Sequence, residues 1–124
     1  MSLPSRQRRR IALETVERTA AELPVEIRKA AEAVPVHFPA RPDAQTAAEL
    51  GEDLLGLFSG EAIHESGETL LPTPPQIHLY LDNLWWEADE DPDHFREEVR
   101  ITFLHELGHY LGWDEDDMVE RGID

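Results

Sequence analysis

Helical and strand periodicities share this chain and predict an α+β fold in which one long buried helix carries the chemistry. Three observations underlie that expectation. Apolar residues recur every four positions through Phe95, Val99, Phe103, Leu107 and Leu111, the stripe of a helix fixed to a core. Apolar side chains alternate through Gln76-Ile77-His78-Leu79-Tyr80-Leu81, the period of a strand. His105, Glu106 and His109 lie on the helical segment at a spacing that brings the two imidazoles to one face.

From the N-terminus, Ile11, Leu13, Val16, Ala20 and Leu23 recur at roughly helical spacing behind a basic start that includes Arg6, Arg8, Arg9 and Arg10. Residues 1–10 are expected to be flexible. Pro24 opens a second short helix carrying Ile27, Ala30 and Ala31. Val34-Pro35-Val36-His37-Phe38 reads as a strand, with Pro35 placing it at an edge or at a strand start, and His37 is read as structural. Residues 43–50 suit a short helix. Leu54-Leu55-Gly56-Leu57-Phe58 then leads through Ser59-Gly60 into an expected strand from Glu61 to Glu65, on whose solvated face His64 and Glu65 are placed.

Pro72, Pro74 and Pro75 close a stiff loop before Gln76–Leu81, and these prolines suit an edge strand, where an extended peptide can be held by backbone hydrogen bonds. Trp85 and Trp86 are expected to pack into the core. Asp91 as N-cap, Pro92 at the first helical position and Asp93 in the first turn open the long helix. His94 lies about three turns from His105, too far for the same metal.

Composition narrows the functional classes. A length of 124 residues fits a single domain spanning 1–124 with a real core. With 27 acidic against 11 basic residues, the net charge of −16 repels phosphate backbones and anionic membranes, so neither nucleic acid nor membrane is an expected partner. Cysteine is absent, which excludes disulfides, thiolate nucleophiles and Cys-based zinc sites. Glu14, Glu17 and Arg18 interrupt the apolar stretch that a signal peptide would need after the basic start, and no apolar run is long enough to span a bilayer. A cytoplasmic location is expected.

The chemistry concentrates in His105-Glu106-Leu107-Gly108-His109-Tyr110-Leu111-Gly112-Trp113-Asp114-Glu115. Residues four apart on a helix are separated by about 40° of rotation and about 6 Å of rise, so His105 and His109 can present ring nitrogens to one metal. Glu106, one position round, is placed to act as general base on a metal-activated water. Gly112 ends the helix and turns the chain back, bringing Glu115 forward as the favoured third ligand, with Asp114 and Asp116 as its alternatives. Three N/O ligands with an open position match a catalytic Zn²⁺ site, one ion per chain. Met118 is read as an apolar contact of a short terminal helix.

On this motif, together with Leu54-Leu55-Gly56-Leu57-Phe58-Ser59-Gly60 and Pro75-Gln76-Ile77-His78-Leu79-Tyr80, the chain resembles the small bacterial zincin-like metallopeptidases, the minimal zincins. The resemblance covers most of the chain. It implies a compact α+β zincin core in which a small mixed sheet packs on helices and one edge strand runs beside the metal-bearing helix. The chain departs from the family pattern at Tyr110, where another His is common, and at Leu81, where a basic residue often follows the strand's Tyr.

The expected function is zinc-dependent hydrolysis of peptide bonds in a peptide or protein substrate, with His105, His109 and Glu115 on the metal and Glu106 as the base. Its rival is a metal-dependent module that binds peptides or proteins on a zincin scaffold with little or no hydrolysis. Glu106 argues against a purely structural zinc, which takes four protein ligands and needs no base.

Overall fold

The computed structural model describes residues 3–63 and 73–120, with the side chain of Glu115 excepted. Elements follow the order α1 (Ser5–Ala21), α2 (Val25–Glu32), β1 (Val36–His37), α3 (Ala44–Leu50), β2 (Gly56–Ser59), β3 (Gln76–Leu79), α4 (Leu81–Glu87), α5 (Pro92–Tyr110) and α6 (Glu115–Glu120). Among the described residues three strands form one mixed sheet in the order β1-β3-β2, with β1 parallel and β2 antiparallel to β3. The architecture is α+β, a small sheet with helices packed on it. Among the described residues no helix is long and apolar enough to cross a membrane.

α5 is the organising element. Asp91 caps it by accepting from the His94 N–H at 2.9 Å, and Pro92 takes a position where its missing N–H costs nothing. The expected stripe of Phe95, Val99, Phe103, Leu107 and Leu111 is buried and faces Ile77 and Leu79 of β3, Leu84 and Trp85 of α4, and Ala12 and Val16 of α1. Trp85 meets Phe95 edge-on at 5.5 Å between ring centroids.

Several expectations are corrected. Residues 5–10, expected to be flexible, are helical: α1 starts at Ser5, and Arg8 is drawn against α4, 3.4 Å from Asp82 and over the Trp85 ring. Along α1 it is Ala12, not Leu13, that faces the core; Leu13 is exposed. The strand expected at 61–65 falls earlier, at Gly56–Ser59, and the chain turns at Gly60 with φ of 98°. His64 and Glu65 lie outside the described residues. The Gln76–Leu79 strand is central, not an edge, because Pro72, Pro74 and Pro75 precede the paired residues and leave every ladder N–H intact. β1, starting just after Pro35, occupies an edge as expected, and Pro35 supplies a carbonyl to the Ile77 N–H. The tryptophan pair splits: Trp85 is buried, whereas Trp86 is exposed beneath the Arg41 guanidinium at 4.7 Å.

Candidate metal centre

The C-terminal half of α5 brings His105, Glu106 and His109 together. One potential ligand atom from each lies within 4.8 Å of the others, and the two imidazole rings stand nearly perpendicular with centroids 4.7 Å apart. His109 is exposed and His105 partly so, whereas Glu106 is buried. An open imidazole pair beside a sheltered carboxylate is the donor chemistry a catalytic zinc takes: neutral nitrogen ligands with access for a further molecule. The residues present therefore fit a divalent metal.

Glu106 is held by the sheet. Its Oε1 accepts from the Phe58 N–H of β2 at 3.1 Å, a hydrogen bond between residues 48 apart in sequence. The bond exists because β2 is an edge strand among the described residues, so that the Phe58 N–H is directed away from β3 and towards α5. Gly56 lets the strand come close enough. A Cβ built there would stand 2.6 Å from Thr102 Cγ2 and 3.4 Å from Glu106 Cγ. The buried Tyr110, one turn after Glu106 on α5, sets its ring tilted against Phe58 at 5.8 Å between centroids, a second contact of α5 with the same strand residue. The edge beside α5 is thus β2, in place of the Gln76–Leu81 segment expected for that position.

Beyond α5 the chain reverses through a Schellman turn. The Gly112 N–H donates to the His109 carbonyl and the Trp113 N–H to the Gly108 carbonyl, at 3.0 and 2.9 Å, with Gly112 at φ of 78°. This is the reversal expected of Gly112. Asp114 and Asp117 then cap α6 reciprocally: Asp114 Oδ1 accepts from the Asp117 N–H at 2.8 Å, and Asp117 Oδ2 from the Asp114 N–H at 3.1 Å. Asp114 is thereby engaged as a helix cap. Glu115 is the first residue of α6, and its side chain lies outside the described part. Met118, fully buried, inserts against Gly108, where an added Cβ would stand 2.5 Å from its Cε. α6 is therefore docked on α5 at Gly108.

Other titratable groups stand apart. His94 is in the exposed first turn of α5, 3.9 Å from Asp91. His37 and His78 are paired across β1 and β3 with rings 5.1 Å apart, and burial, reinforced by His37, holds His78 below the usual histidine range. Burial, then the charges of Asp43 and Glu106, push the Tyr80 hydroxyl above its ordinary value.

A helix-borne His-Glu-x-x-His cluster beside an edge strand of a small mixed sheet defines a zincin-type protein. The chain belongs to the zincin-like metallopeptidase family, whose model matches residues 31–123. No curated protein matches the sequence. Sequence reasoning located the three clustered side chains but missed the two β2 positions that serve them, Phe58 and Gly56. The signal was present in Gly56, a glycine within an apolar run, which marks a close backbone approach.

Proposed function

We propose that this protein is a zinc-dependent peptidase in which His105, His109 and Glu115 hold the metal and Glu106 is the general base. The observation that carries the reading is the buried Glu106 carboxylate, oriented by the Phe58 N–H and set beside two imidazoles at metal-binding separation. Zinc, when bound, supplies a Lewis acid that makes water acidic enough to deprotonate near neutral pH and polarises the scissile carbonyl. Glu106 accepts the proton of the attacking water and returns it to the departing amine. The Phe58 hydrogen bond keeps the carboxylate from rotating away between the two transfers.

The wild type is expected to bind about one zinc per chain, with strong loss in His105→Ala and in His109→Ala. Glu106→Gln should keep the metal while peptide cleavage falls on the order of 10²–10⁴-fold. Metal analysis and cleavage of a diverse peptide library read both effects. Unchanged zinc in both histidine variants overturns the site, and zinc-loaded wild type that binds peptides without cleaving any replaces the peptidase by a binding module.

A further inference from the structure

A groove runs along α5 from the metal centre towards its N-terminal half. One wall is the helix face Glu98, Ile101, Thr102 and His105, residues that recur at three- and four-residue steps, and the other is Leu54, Leu55 and Gly56 leading into β2. Its volume is about 270 Å³. Pockets that take whole drug-sized ligands span about 300–1,000 Å³, and this groove falls just below that range, room enough for one long side chain. Glu106 and His105 lie at one end, and Glu98 stands seven residues earlier on the same face, about 10 Å along the axis.

We propose that this groove takes a lysine or arginine side chain next to the scissile bond, its apolar stem against Leu54, Leu55 and Ile101 and its cationic head on Glu98. The assignment rests on the peptidase reading of the same site and names its substrate class. A side chain that starts at the reacting carbonyl and ends at Glu98 must be long and unbranched, with an apolar stem and a positive end; lysine and arginine have that build. Among the described residues no lysine or arginine lines the groove. The neighbouring carboxylates of α5 are matched within the helix, Asp93 by Arg96 and Glu97 by Arg100, whereas Glu98 has no ion pair among the described residues. Partial burial and the nearby Glu87 and Glu97 raise the Glu98 carboxyl above its ordinary value, outweighing the opposite effect of His94. A substrate cation would relieve that strain of like charges, and the net charge of −16 favours its approach.

The test measures binding and cleavage separately. Three peptides of one sequence, carrying arginine, norleucine or glutamate at a single variable position, are titrated onto zinc-loaded Glu106→Gln protein and onto the same protein with Glu98→Gln added. Arginine is expected to bind about tenfold more tightly than norleucine, and glutamate most weakly, the scale of one charge-assisted hydrogen bond at a partly screened site. Adding Glu98→Gln should erase the arginine advantage while leaving norleucine binding unchanged. Equal binding of arginine and norleucine, or an arginine advantage that survives Glu98→Gln, overturns the proposal. In cleavage, the wild type should show the same tenfold arginine selectivity in kcat/KM, and Glu98→Gln alone should lose it. Arginine-selective binding with no cleavage by zinc-loaded wild type would leave the groove assigned and overturn the peptidase reading instead.

Discussion

Glu106 shows how much of a site depends on positions that carry no side-chain chemistry. Its carboxylate is useful only while β2 lies against α5, and Gly56 sets that separation, because a methyl group there would stand 2.6 Å from Thr102 Cγ2. Thr102 is buried, so its methyl has little space into which to swing aside. Gly56→Ala is therefore expected to push the strand outwards, cost about 1–3 kcal/mol of stability as an overpacked contact, and lengthen the Phe58 to Glu106 hydrogen bond. The histidines are untouched by that shift. Denaturant titration should show the destabilisation, zinc content should stay near the wild-type value, and peptide cleavage should fall at least tenfold. Full activity in Gly56→Ala would show that the strand's approach does not position the base.

At the scale of elements, the sequence revealed what depends on local pattern and hid what depends on pairing. α5 was legible from end to end, since its cap at Asp91, its four-residue apolar stripe and its stop at Gly112 are all written within the segment. The strands were not. β2 is four residues long with a glycine at its start, so periodicity alone could not separate it from the turn at Gly60, and the order β1-β3-β2 follows from pairing partners distant in sequence. The helix that carries His105, Glu106 and His109 was therefore readable, whereas the strand that meets Glu106 was expected at 61–65. α6 lies between these cases. Met118 was recognised as an apolar contact, but only the fold shows that it seats against Gly108, the residue before His109. This makes Met118 the anchor of the element that begins at Glu115. Met118→Ala should cost about 2–5 kcal/mol as a buried truncation. It should also weaken zinc binding, read by chelator competition, because α6 loses its seat while His105 and His109 keep theirs. Lost stability with unaltered zinc affinity would remove α6, and with it Glu115, from the metal centre.

For the whole molecule, the net charge of −16 sets two responses to salt that run in opposite directions. Carboxylates outnumber cations so far that most cannot be paired, and their mutual repulsion opposes the compact state. Raising ionic strength from 0.01 to 0.15 M shortens the screening length from about 30 to about 8 Å, which weakens repulsion across the molecule. The melting temperature is expected to rise by a few degrees over that range. A fall would mean that exposed pairs such as Arg10 with Glu14 and Arg96 with Asp93 outweigh the general repulsion. Capture of a basic peptide should respond in the other sense, because the same screening removes the long-range attraction that draws it in. Contact between its cationic head and Glu98 acts at hydrogen-bonding distance, well inside 8 Å, and is screened far less. Salt should therefore lower the affinity of arginine and norleucine peptides of equal overall charge by similar factors, leaving the ratio between them close to its low-salt value. If the ratio collapses together with the affinity, the preference for basic side chains comes from the field of the whole protein and not from Glu98.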